Sequence, residues 1–115
     1  MNTKPPQCWD SDPNARAVKI ELAPDRSLLL PLDQFAFSEL TTEAKEQRLR
    51  LVFATHEVLV RGIGLRRIEA ALQRAELSLL ARLPEHQKSL TTEGHPVVLQ
   101  ITVSDAGASG AAMTA

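Results

Sequence analysis

Tyrosine is absent from this chain of 115 residues, cysteine and tryptophan occur once each, and phenylalanine three times. So sparse an aromatic set, with Phe35, Phe37 and Phe53 all read as core, argues against a platform on which bases stack in succession. Cys8 alone can form neither an internal disulfide nor a zinc site of several thiolates. No apolar run approaches the ~20 residues that cross a bilayer as a helix, so no membrane partner is expected. The polar, Pro-rich start MNTKPPQCWD is not a secretory signal, which makes a cytoplasmic location the expectation. Thirteen Lys and Arg against fourteen Asp and Glu leave a net charge of -1, which excludes a polycation.

Recognised chemistry is missing too. His56, His86 and His95 form no ligand pair at i, i+4, and the H-E-x-x-H spacing is absent. Neither a G-x-S-x-G elbow nor a phosphate loop around Gly62 and Gly64 is present. Cys8, beside Trp9, Asp10 and Asp12, has no base or electropositive pocket to lower its pKa. The expectation is therefore a protein without metal or cofactor, and not an enzyme.

What the chain does have is alternation. Val18, Ile20 and Leu22 alternate with Lys19 and Glu21 as in a half-buried strand. After a turn over residues 23–27, Leu28, Leu29 and Leu30 form a second strand that Pro31 ends or places at an edge. Asp33 caps a single helical turn or else residues 35–40 form a third strand, and 41–45 reads as a connection. Leu49, Leu51 and Phe53 alternate with Arg48, Arg50 and Val52, and HEVLVRG follows at hairpin distance. Centring that hairpin between Thr55 and His56 sets Phe53 opposite Val58, Leu51 opposite Val60 and Arg50 opposite Arg61. From Leu65 the period changes: Leu65, Ile68, Leu72, Ala75, Leu79 and Leu83 suggest an amphipathic helix of about five turns, with Leu77 and Leu80 left on its flank. A last strand runs through Val97, Leu99, Ile101 and Val103.

These elements predict an α+β fold, a mostly antiparallel sheet of about five to six strands with one long amphipathic helix packed on one face. Residues 1–14 read as a flexible arm anchored by Trp9, residues 15–103 as the single domain, and residues 104–115 as a disordered tail. The pattern HEVLVRGxxLxxIxxAL, residues 56–72, resembles small uncharacterised bacterial proteins, a resemblance that implies no activity.

Charge is uneven along the chain. Residues 48–82 hold seven arginines and no lysine against three glutamates, net +4, while residues 1–47 carry net -3 and residues 83–115 net -2. Arg48, Arg50, Arg61, Arg66, Arg67 and Arg74 are candidates for an anion or partner site, since guanidinium binds carboxylate and phosphate bidentately. The alternative is pairing with the acidic flanks of the same chain, with Glu21, Glu39 or the acidic arm as partners. Arg66 and Arg67 open a helix with no Ser, Thr, Asp or Asn at its start, so its first amides lack a local cap. Surplus apolar positions, Leu77 and Leu80 on the helix with Val52 and Leu59 on the outer hairpin face, are candidate oligomer contacts. The expected function is a protein-interaction or self-assembly module, most simply a homodimer. The alternative is a nucleic-acid or phosphate-binding domain using the Arg-rich hairpin and helix start.

Overall fold

The computed structural model of the chain describes residues 8–83, 95–105 and 113–114. The alternating segments form strands, starting with β2 (Ala17–Ala23) and β3 (Arg26–Pro31), an antiparallel hairpin. Pro31, which has no amide proton, ends β3 at the sheet edge. Leu32–Gln34 make one 3-10 turn that Pro31 precedes and Asp33 lies within, so Asp33 does not cap it, and the expected strand follows directly. That strand, β4 (Phe35–Glu43), turns at Ala44 and Lys45 into β5 (Glu46–Phe53), so residues 41–43 are strand and not connection. After Ala54 and Thr55, β6 (His56–Ile63) pairs with β5, and β8 (Val97–Asp105) pairs with β6.

The expected long helix is the chief correction. Helix α1 (Arg66–Gln73) has eight residues, and beyond it Leu77, Leu79 and Leu80 belong to a strand, β7 (Leu77–Ala81), with Leu83 past its end. Ala75 sits at φ 55, the left-handed region that ends many helices. Around it, the Glu76 N–H donates to the Ala71 carbonyl and the Ala75 N–H to the Leu72 carbonyl, each at 2.9 Å, which is the Schellman pattern. An alanine at that position is costly because its Cβ crowds the carbonyl. Ala75→Gly is therefore expected to raise stability by about 0.5–1 kcal/mol, read as a shift of the urea midpoint at constant slope.

Strand β7 lies between β1 (Trp9–Ser11) and β2, antiparallel to the first and parallel to the second. The four-stranded sheet β1-β7-β2-β3 and the five-stranded sheet β4-β5-β6-β8-β9, with β9 at Met113–Thr114, share one apolar core. Val18, Ile20, Leu30 and Leu80 come from the first sheet, and Leu49, Leu51, Phe53, Val58, Val60, Ile101 and Val103 from the second. Ile68, Ala71 and Leu72 of α1 complete it, with the helix against β4 and β7. The fold is thus two sheets enclosing a core with one short helix, and not an α+β sheet with a helix across one face.

The arm and tail expectations need division. Residues 1–7, 106–112 and 115 lie outside the described residues, and Met113–Thr114, assigned to the tail, form β9 against β8. Cys8 to Ser11, read as part of a loose arm, instead join the fold. Cys8 is buried, and Trp9 to Ser11 pair with β7. Ser104 and Asp105, assigned to the tail, continue β8 opposite Glu57 and His56.

Candidate interaction face

In β5, Leu49, Leu51 and Phe53 point into the core, and Arg48, Arg50 and Val52 point out. The partner strand β6 buries Val58 and Val60 and turns Glu57, Leu59 and Arg61 outward. The true register pairs Leu51 with Val58, Leu49 with Val60 and Arg50 with Leu59. It differs by two residues from the expected one, because the turn lies at Ala54 and Thr55. A slip of two preserves which face each side chain takes, so apolar patterning alone does not separate the two registers. Arg50 therefore does not face Arg61; Arg48 does.

On the adjacent strand a bulge changes the parity. Phe35 pairs with Phe53, whereas Phe37 pairs with Val52, an irregularity that absorbs Ala36. Phe35 accordingly packs edge-to-face on core Phe53, with ring centroids 5.5 Å apart. Phe37 emerges on the outer face, 49% exposed, against the expectation of a core residue. Nothing in the spacing F-A-F signals this. Phe37, half-buried Val52 and Leu59 (38% exposed) are thus apolar positions on the outer face of three neighbouring strands.

Charged groups interleave with them. The Arg50 Nε donates to the Glu57 Oε1 at 2.5 Å, and its guanidinium carbon stands 5.6 Å from the centroid of the Phe37 ring. Hydrogen bonding and attraction from Glu57 push the Arg50 pKa up. Arg61 pairs with Glu46 at 3.0 Å, and Glu39 is the cross-strand neighbour of Arg50. Among the described residues these arginines thus pair with Glu46 and Glu57, with Glu39 attracting Arg50 through space, and not with Glu21 or with Asp10 and Asp12 of the arm. Arg48, Arg66 and Arg67 have no ion pair among the described residues. Arg74, at the far end of α1, pairs with Glu76 at 3.0 Å. The six candidate arginines therefore divide between the sheet face and the two ends of the helix. At the helix start, the Leu65 N–H finds an acceptor in Gln47 Oε1 at 2.7 Å, a long-range contact invisible in the local sequence.

Leu77 and Leu80 are withdrawn as oligomer contacts. Both are fully buried, because β7 is an inner strand of its sheet. Val52 and Leu59 keep their place on the outer face.

His56 begins β6, with Nδ1 2.7 Å from the Thr55 hydroxyl and Nε2 3.7 Å from the Asp105 carboxylate. Asp105 is 70% exposed, so this string lies in water and lacks the sheltered geometry of a catalytic triad. His95 is exposed, and His86 lies outside the described residues. Among the described residues no cluster of three or more His, Cys, Asp or Glu is placed to hold a metal, and no polar or charged side chain is buried. None of their helices is long and apolar enough to cross a membrane.

Cys8, 3% exposed, directs its Sγ–H to the Pro96 carbonyl at 3.3 Å. Burial pushes its thiol pKa up. Since the thiolate is the reactive form, a thiol reagent is expected to label Cys8 only as fast as the fold opens. The raised pKa also means that, in alkali, the unfolded chain ionises Cys8 before the folded one does. Stability then falls as pH rises through the ordinary thiol value, and Cys8→Ala removes that component of the slope in alkaline urea titrations.

No family model, no curated protein and no solved structure matches the chain.

Proposed function

We propose that this chain is a non-enzymatic protein-interaction module that recognises its partner through the outer face of the five-stranded sheet. The observation that carries the reading is the pattern on β4, β5 and β6. Phe37, Val52 and Leu59 lie among Arg48, Arg50 and Arg61 and four glutamates, Glu39, Glu43, Glu46 and Glu57. Apolar positions bordered by charge of both signs suit a protein surface. A nucleic-acid face needs excess positive charge to displace counterions from phosphates, and on this face four glutamates outnumber three arginines. Arginine stacked on an exposed aromatic ring is also the kind of anchor that dominates protein interfaces. The reading goes with a cytoplasmic site of action and involves no catalytic step, metal or cofactor.

The second reading, a nucleic-acid or phosphate site, is favoured by one observation: Arg48, Arg66 and Arg67 stand without ion pairs among the described residues. It ranks below the first because these arginines are divided between a sheet and a helix start.

The deciding comparison uses the Val52→Ser/Leu59→Ser variant, whose partly exposed positions make it a folded control by circular dichroism. Tagged wild-type chain should retain a stoichiometric protein partner from its own cells, and the variant should lose it. Retention by both would end the reading. Saturable, salt-sensitive binding of labelled RNA or DNA that disappears on Arg48→Ala/Arg66→Ala/Arg67→Ala would put the second reading in its place.

A further inference from the structure

Strand β4 stands at the end of its sheet, bonded on one side to β5 and on the other to nothing among the described residues. It is nine residues long, none of them buried. Glu43 and Glu46 flank a two-residue turn, and residues that flank such a turn bond each other across the hairpin. Alternation then aims the N–H and C=O of Glu39, Thr41 and Glu43 at β5. Those of Ser38, Leu40 and Thr42 point to the open side, and no backbone bond outside the ladders engages them. Three adjacent open amide pairs on a long exposed strand form a pairing template.

We infer that β4 pairs antiparallel with β4 of a second copy, about a two-fold axis at Leu40, to give one continuous sheet through two chains. This deepens the reading of the chain as an interaction module, but it uses the sheet edge and not Val52 or Leu59. Centring on Leu40 sets Leu40 against Leu40, Ser38 against Thr42, Glu39 against Thr41 and Phe37 against Glu43. All three open amide pairs of each copy then find partners. The neighbouring registers are worse: centring on Glu39 places glutamate opposite glutamate, and centring on Thr41 faces Glu39 with Glu43. The Leu40 register also complements charge. Arg48, the cross-strand neighbour of Thr41, lies in one row with Glu39 of the second copy. Glu43 comes to the Phe37 over which the second copy's Arg50 is held. Two carboxylates and an unpaired guanidinium are thereby matched by symmetry.

Light scattering after size exclusion tests this on the full chain. Wild type is expected to run as a dimer at high micromolar concentration. Thr42→Pro removes an outward N–H and an exposed hydroxyl that accepts from Gln47 Nε2 at 3.4 Å, changes an edge strand tolerates, and should give a folded monomer. Glu39→Arg should weaken the dimer about tenfold by placing a like charge in the row of Arg48 of the second copy, and adding Arg48→Glu should restore it. Should Thr42→Pro fail to fold, the charge exchange still decides. A monomeric wild type overturns the proposal, as does a Thr42→Pro dimer of wild-type affinity or a Glu39→Arg variant with unchanged association. Val52→Ser/Leu59→Ser dimerises normally if the edge is the contact, so failure of the edge and failure of the face are read separately.

Discussion

Gly62→Ala is expected to destroy most of the folded population. Gly62 sits at the irregularity between β6 and β8, where the register shifts after Arg61. A Cβ there would overlap the Val97 carbonyl oxygen, come within 3.1 Å of its carbon and lie 3.2 Å from the Leu65 Cδ2. The obstacle is strand backbone, which cannot rotate away, so relief means separating β8 from β6. The cost is at least about 3 kcal/mol, a large share of the ~5–15 kcal/mol that holds a domain together. Gly64→Ala is the control. Its φ is 67, but the nearest atom would be 3.4 Å away, so only backbone strain of about 1–2 kcal/mol applies. Urea titrations of the two variants should separate clearly. Equal midpoints would mean that the β6–β8 approach is looser than described.

Leu80→Ala should cost about 2–5 kcal/mol, and Leu79→Ala clearly less. Leu80 is fully buried opposite Ile20, while Leu79, opposite Lys19, is partly exposed. A continuous helix over residues 65–83 would demand the reverse order, because Leu79 lies on its apolar stripe and Leu80 on its flank. The pair of variants therefore reports directly on whether this segment is strand or helix. Neither should change the association state, since Leu80 lies inside the chain.

Why the segment misleads is physical. The sequence LSLLA carries no β-branched residue, and its leucines extend the three-and-four spacing that starts at Leu65. The break depends on Ala75 adopting a left-handed conformation, which Gly would advertise and Ala conceals. Elsewhere the period-two signal is strong: β2, β5 and β6 are legible because one face is core and the other polar. In β8 alternation holds only for Ile101 and Val103, since a bulge at Leu99 puts Val98, and not Val97 or Leu99, in the core. Register was not legible, since a shift of two residues leaves every apolar contact on the same face. The candidate face was half legible for the same reason. Val52 and Leu59 follow from alternation, but Phe37 reaches the face only through a bulge at Ala36, and the glutamate partners of Arg50 and Arg61 depend on the true register.

The position of β7 between β1 and β2 also dictates an order of events. Trp9 pairs with Leu80, so a chain emerging from its N-terminus cannot complete the four-stranded sheet until nearly all the described sequence exists. Until then the hairpin of β2 and β3 waits with one side of β2 unpaired, while β4, β5 and β6 close by short turns as soon as each strand is made. Contacts between distant residues form late because a long loop must first be closed. Pulse-labelled hydrogen exchange during refolding should find the β5 and β6 amides protected before those of β7. Simultaneous protection would mean that both sheets condense in one step. In the interim the open side of β2, which waits for β7, and the open side of β6, which waits for β8, are the places where a nascent chain is exposed to mispairing.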